Sequence, residues 1–176
     1  MTPALHHVGY WVDDLAAAQA RWSRDLGVGP FDVIEHVPFD EFVLTADGRP
    51  HRDVVFDHSA AFAAWGPVVV ELGQVHAIDD RLAAAYDITP GTVSHISWVV
   101  ADVEQESARL ARLGCELINT ARSGPISVAW HAGGPRLLSS SGPAALQSAE
   151  AAKARTSSQR SRAASGSCGK LPPEAA

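Results

Sequence analysis

Cysteine is nearly absent: Cys115 and Cys168 are the only two in 176 residues. Two thiols build neither a disulfide framework nor a thiolate zinc site, so a reducing, cytoplasmic setting is expected. Long apolar runs are missing as well. The longest weakly polar stretch, residues 59–70, is broken by Gly66 and Pro67. It falls short of the roughly 20 apolar residues that span a bilayer, and no membrane partner is expected. The N-terminus, MTPALHHVGYWVDD, has no basic segment followed by an apolar core, so no secretory signal is read there. Basic stripes are lacking too: residues 1–138 hold 9 Lys and Arg against 18 Asp and Glu. Such a body repels phosphate backbones, which excludes nucleic acid as an expected partner. The overall composition, 46% apolar and 19% charged, excludes a collagen-like or wholly disordered chain.

The end of the chain lacks aromatics altogether. Residues 139–176 contain 9 Ser and 10 Ala, with Leu146 and Leu171 as the only large aliphatics, and 5 basic against 2 acidic residues. A segment of this kind buries too little apolar surface to offset its ordering entropy. It is expected to be a disordered Ser/Ala-rich tail, with residues 1–138 forming the folded domain.

An internal repeat organises the body. The segment HVGYWVDDLAAAQARWSRDLG from His7 aligns with HISWVVADVEQESARLARLG from His95 at a constant offset of 88. His7 meets His95, Asp14 meets Asp102, Leu15 meets Val103, and Arg21 meets Arg109. Each copy reads as a strand, an Asp that caps a helix, an amphipathic helix and a closing Gly. The first copy continues with strands expected at residues 31–37, 53–58 and 68–75, and a loop or bent hairpin at 40–52. The second continues with strands at 115–120 and 126–130. No fourth strand is expected after it, because Gly133, Gly134 and Pro135 lead through Leu137 and Leu138 into the serine run. Module one thus covers residues 4–78 and an incomplete module two covers 91–138.

Strand alternation then selects residues. Leu5, His7, Gly9 and Trp11 share one face, with His6 expected on the other; Val93, His95, Ser97 and Val99 share a face in the second copy. Glu71 interrupts the apolar run VVVEL, where an ionised carboxylate needs a partner or a cation. Two histidines at equivalent repeat positions and one carboxylate at a strand centre form a candidate two-His, one-carboxylate site for a divalent metal. The competing reading pairs Glu71 with an arginine such as Arg52. The remaining histidines are expected in loops or on strand surfaces, with His58 and His131 able to line a cavity between the two copies. Trp11, Trp65, Trp98 and Trp130 are expected in the core or in a pocket wall.

These residues carry a resemblance. LHHVGYWVDDL at 5–15, VVVELGQ at 68–74 and SHISWVVADV at 94–103 are similar to the vicinal oxygen chelate superfamily, which includes glyoxalases, methylmalonyl-CoA epimerase, extradiol dioxygenases and bleomycin-resistance proteins. The resemblance covers residue 4 to about residue 131. It implies an α+β fold of paired βαβββ modules forming a cupped mixed sheet. It also implies metal ligands at His7, Glu71 and His95, holding Zn, Mn, Co, Ni or Fe, with Glu71 also catalytic. The implied activity is a lyase or isomerase acting on a small oxygenated substrate through an enolate or enediolate. The alternatives are a non-heme iron ring-cleaving dioxygenase and a metal-free small-molecule-binding protein of the resistance type. A homodimer is a further implied partner. Between His131 and Leu138 the chain leaves the family pattern, as a frame change or a rewritten end would produce. The fourth ligand expected on the last strand has no counterpart there: Glu150 and Glu174 lie in the tail. A chain without that ligand strand would be inactive.

Overall fold

A computed structural model describes residues 4–46, 48–133 and 136–142. The tail residues 143–176, with Glu150, Cys168 and Glu174, lie outside the described residues. Module one contains β1 (Ala4–Trp11), α1 (Leu15–Leu26), β2 (Asp32–Ile34), β3 (Glu41–Ala46), β4 (Arg49–His51), β5 (Phe56–Trp65) and β6 (Val68–Ile78). A linker carries α2 (Asp80–Tyr86). Module two contains β7 (Val93–Val99), α3 (Val103–Arg112), β8 (Leu117–Ser123), β9 (Ile126–His131) and β10 (Arg136–Ser141). None of the described helices is long and apolar enough to cross a membrane.

The repeat sets the architecture. In both copies an Asp caps the helix: Asp14 Oδ1 accepts from the Ala17 N–H and Asp102 Oδ1 from the Gln105 N–H. Gly27 closes α1 in the left-handed region, φ 66°, which favours glycine. Among the described residues the strands form one ten-stranded curled sheet in the order β2-β5-β6-β1-β7-β10-β9-β8-β3-β4. Module one supplies β2-β5-β6-β1 and module two the equivalent β8-β9-β10-β7, joined where β1 pairs antiparallel with β7. The fold is therefore α+β, a cupped mixed sheet of two repeated modules. The hairpin β3–β4, expected as loop or hairpin, leaves module one and adds to the far edge of module two through Glu41↔Arg122 to Leu44↔Asn119.

The two sheet faces differ. On the convex face α1 covers Ala61, Leu72 and Tyr10, with Leu15 buried beneath it. On the concave face Trp11, Leu44, Trp130 and Leu138 pack with Leu82 and Tyr86 of α2. Burying these side chains removes apolar area from water at about 25 cal/mol per Å².

Three expectations need correction. A fourth strand does close module two: β10 lies between β7 and β9, and the boundary expected after Leu138 falls inside it. Serine has little strand preference of its own, but two neighbouring strands with open ladders impose pairing on Ser139 to Ser141. The strand expected at 53–58 instead spans Phe56–Trp65, because small alanines at 60, 61 and 63 fit the tightly covered sheet. His6 does not simply point away from His7. Register shifts between Leu5 and His7 make a bulge there, and the two rings meet.

Candidate metal centre

The central β1–β7 seam brings the two repeat histidines together. His7 comes from β1, His95 from β7 and Glu71 from β6, where Glu71 pairs with Gly9. All three are buried, with exposures of 5%, 2% and 7% for His7, His95 and Glu71. His7 Nε2 lies 2.8 Å from His95 Nε2 and 2.7 Å from Glu71 Oε2, and His95 Nε2 lies 3.1 Å from the same oxygen. Among the described residues no other three His, Cys, Asp or Glu side chains bring ligand atoms so close together.

Backbone choices make this convergence possible. A Cβ on Gly9 would lie 2.1 Å from His95 Cε1, so the imidazole occupies space that only glycine leaves open. Gly73 does the same for the Trp11 ring, whose Cζ3 lies 2.7 Å from where a Cβ would stand. The far nitrogens of both histidines are held as well. Ser94 Oγ lies 2.9 Å from His95 Nδ1, and the bulged His6 places its Nδ1 2.6 Å from His7 Nδ1. Partners at Nδ1 fix the ring orientation and turn Nε2 inward.

The electrostatics fit a cation. Burial alone would raise the Glu71 carboxyl pKa. The charge of His7 and the hydrogen bonds from His7 and His95 outweigh it and hold the group well below the usual carboxylate range. Burial pushes the His95 imidazole down, opposed by its bond to Glu71. With Glu71 ionised, the triangle has three short edges but at most two Nε2 protons, one on each imidazole, to place on them. One edge is then left as a contact without a hydrogen bond. A shared cation removes that conflict. The separations match ligands at right angles around an octahedral ion with bonds of about 2.1 Å, which lie about 3.0 Å apart, and are shorter than the roughly 3.4 Å between ligands of a tetrahedral zinc site. The competing pairing of Glu71 with Arg52 is not observed; Arg52 bonds Glu41 on the β3–β4 hairpin.

Comparison with known proteins agrees with the fold. The sequence profile of the Glyoxalase/Bleomycin resistance protein/Dioxygenase superfamily matches residues 6–130. The chain belongs to this superfamily. No curated protein sequence matches it. Among solved structures, a hypothetical protein from Bacillus halodurans is 14% identical, with a TM-score of 0.53 over 80% of this chain and 95% of that one. Methylmalonyl-CoA epimerase from Mycobacterium tuberculosis is 18% identical, with a TM-score of 0.50 over 78% and 87%. A variant of the Streptomyces coelicolor methylmalonyl-CoA epimerase, in complex with 2-nitronate-propionyl-CoA, is 14% identical, with a TM-score of 0.51 over 82% and 97%. At these identities the likeness shows the fold.

Within this superfamily member the last strand departs from the repeat. Gly9 faces Glu71 across the β1–β6 pair. The offset of 88 carries Gly9 to Ser97, which faces Leu138 across the β7–β10 pair. Leu138 therefore stands where a fourth ligand would be, and it is packed into the concave core. His131, expected as a surface residue or cup wall, is fully buried within electrostatic reach of Glu106 of α3. His58 does line the concave side, with its ring stacked on Phe56 at 4.4 Å. Trp11 and Trp130 are buried in the concave core, whereas Trp65 is exposed. An open cleft of about 700 Å³ lies under the β3–β4 hairpin, lined by Phe39, Phe42, Phe56, Arg52 and Arg122 among others, and it includes none of the three triad residues. Two cup residues escaped the sequence reading, Tyr86 and Asn119, whose side chains bond each other at 2.5 Å. The segment DDRLAAAY, with its Asp cap and apolar Leu and Tyr four apart, carried a helix signal that would have found Tyr86.

Proposed function

We propose that this chain is a divalent-metal-dependent enzyme of the lyase or isomerase kind, acting on a small oxygenated substrate through an enolate or enediolate. The observation that carries the reading is the convergence of His7 Nε2, His95 Nε2 and Glu71 Oε2 within 3.1 Å of one another. A divalent cation held by these three atoms would act as a Lewis acid toward substrate oxygens and favour the enolate form. The chain does the rest. His6 and Ser94 hold the two imidazoles in orientation. The buried walls exclude water, which strengthens every charge interaction inside. Glu71 is the carboxylate we assign to move a proton beside the substrate carbonyl, in addition to holding the cation. The solved epimerases of this fold, one of them holding methylmalonyl-CoA, support a small-molecule substrate.

Leu138 favours a second reading. With an apolar residue at the fourth position the donor set is two histidines and one carboxylate, the set that suits ferrous iron in oxygenases. A ring-cleaving dioxygenase is that reading. One experiment separates the two. Protein loaded with Mn, Zn or Co is given methylmalonyl-CoA in deuterated water, and protein loaded with ferrous iron is given catechol under an oxygen electrode. Deuterium at the α-carbon supports the first reading, and oxygen uptake supports the second. Neither signal from fully metal-loaded protein contradicts both readings, and a chain that takes up no metal leaves the metal-free binding protein.

A further inference from the structure

The linker between the modules does not run over the surface. It folds into α2, which drives Leu82 and Tyr86 into the cup, at 0% and 1% exposure. The Tyr86 ring lies nearly parallel to Trp130, with centroids 4.6 Å apart and planes 19° apart, and to Trp11, at 6.4 Å and 18°. Phe56 meets it edge-on at 5.3 Å. The Tyr86 hydroxyl donates to Asn119 Oδ1 at 2.5 Å. A phenol near-parallel to two indoles, with its hydroxyl on a buried amide, has the contacts of a bound aromatic ligand. Here the chain itself supplies the ring. The same Trp130 touches the His95 ring at 4.5 Å, so the Tyr86 position is separated from the triad by one indole.

The walls around this phenol are more polar than a core ring requires. Trp11 Nε1 and Asn119 Nδ2, and His58 Nδ1 beside Trp11 and Phe56, are buried without a hydrogen-bond partner. Buried polar atoms are nearly always partnered, and each one left over costs about 1–3 kcal/mol. Trp11 and Asn119 are the residues that grip Tyr86, and each keeps an N–H donor that the single phenol oxygen does not use. A ligand ring carrying oxygens would use them.

The α2 helix is short. It has seven residues, too few to be stable without its inserted side chains. It ends at Asp87 in the left-handed region, φ 50°, followed by Gly91 at φ 80°. Side-chain hydrogen bonds tie it to the sheet at three points: Tyr86 to Asn119, Arg136 Nε to the Ala85 carbonyl at 2.9 Å, and Arg81 Nη1 to His51 Nδ1 at 3.2 Å.

We propose that the cup binds a hydroxylated aromatic ring in the place Tyr86 fills, and that α2 is the plug such a ligand displaces. The inference rests on the concave face being the functional face, as in the reading above, and not on the cation.

The test uses the full chain, stripped of divalent ions by a chelator, with p-cresol as probe and toluene as its hydroxyl-free control. In the wild type, p-cresol raises amide hydrogen exchange severalfold across residues 79–88, because bound ligand holds α2 out. Tyr86→Ala binds p-cresol roughly tenfold tighter than the wild type, since no plug competes. Toluene binds several-fold more weakly than p-cresol to both. Should Tyr86→Ala fail to fold, Tyr86→Phe carries the test: it releases Asn119, and α2 exchange and p-cresol affinity both rise. Unchanged α2 exchange in the wild type at p-cresol concentrations that saturate the variant would overturn the plug and leave Tyr86 a core ring. Equal binding of toluene and p-cresol would overturn the phenolic class. Metal content, measured separately on the same protein, distinguishes either failure from failure of the triad.

Discussion

Leu138 is the register counterpart of Glu71. Each faces the concave-side residue two places beyond its module's repeat histidine, Ser97 for Leu138 and Gly9 for Glu71. The pseudo-symmetric cup therefore offers a carboxylate on one side of the histidine pair and an isobutyl group on the other. The first prediction concerns that asymmetry. Leu138→Glu should destabilise the metal-free protein by several kcal/mol, as an uncompensated buried charge does. Added Zn or Mn should restore much of the loss and bind roughly tenfold tighter than to the wild type through the fourth ligand. Thermal melts with and without metal, with a metal titration, measure both effects. A variant that metal does not rescue places Leu138 away from the site.

Gly9 makes room for the His95 ring, so Gly9→Ala should disrupt the triad without replacing any of its three members. A Cβ lying 2.1 Å from His95 Cε1 forces the imidazole away. Overpacking of this kind costs about 1–3 kcal/mol. Denaturant unfolding should show that loss, and metal affinity should fall with it. Wild-type metal affinity in a stable Gly9→Ala protein contradicts the packing described.

Acid should weaken the fold through His58. Burial is the main cause that lowers its pKa from 6.5 to about 4, partly opposed by Glu71. The unfolded chain therefore takes up a proton at higher pH than the folded one. Its effect on stability is absent above pH 6.5 and becomes increasingly unfavourable as pH falls from 6.5 towards 4. The loss is on the order of 3 kcal/mol across that window. His58→Phe should flatten this part of the stability profile in urea titrations. An unchanged slope would show that His58 does not titrate in this buried setting.

The edge strand β2 should be where two chains meet. Its Val33 and Ile34 are exposed at 42% and 45%, and an apolar edge with open ladder groups is a template for pairing. Light scattering should give a dimer for the wild type and a monomer for Val33→Lys. A wild-type monomer at all concentrations contradicts this.

The repeat made much of the molecule legible in advance. One offset placed β1 with β7, α1 with α3, and His7 with His95, and a lone Glu in VVVEL marked the third member of the cluster. What escaped depended on neighbours and not on local pattern. β10 is a strand because β7 and β9 flank it, although LLSSS has no strand signature of its own. His6 meets His7 because a bulge breaks alternation. Tyr86 and Asn119 lie 33 residues apart and meet only once the cup has closed.

The measurement closest to the central claim is elemental analysis of the full chain after loading with divalent metal and gel filtration. It is run on the wild type beside His7→Ala and His95→Ala, with folding checked by circular dichroism. The account predicts about one ion per wild-type chain and little or none in either folded variant. Equal metal in all three proteins, or none in the wild type, contradicts it.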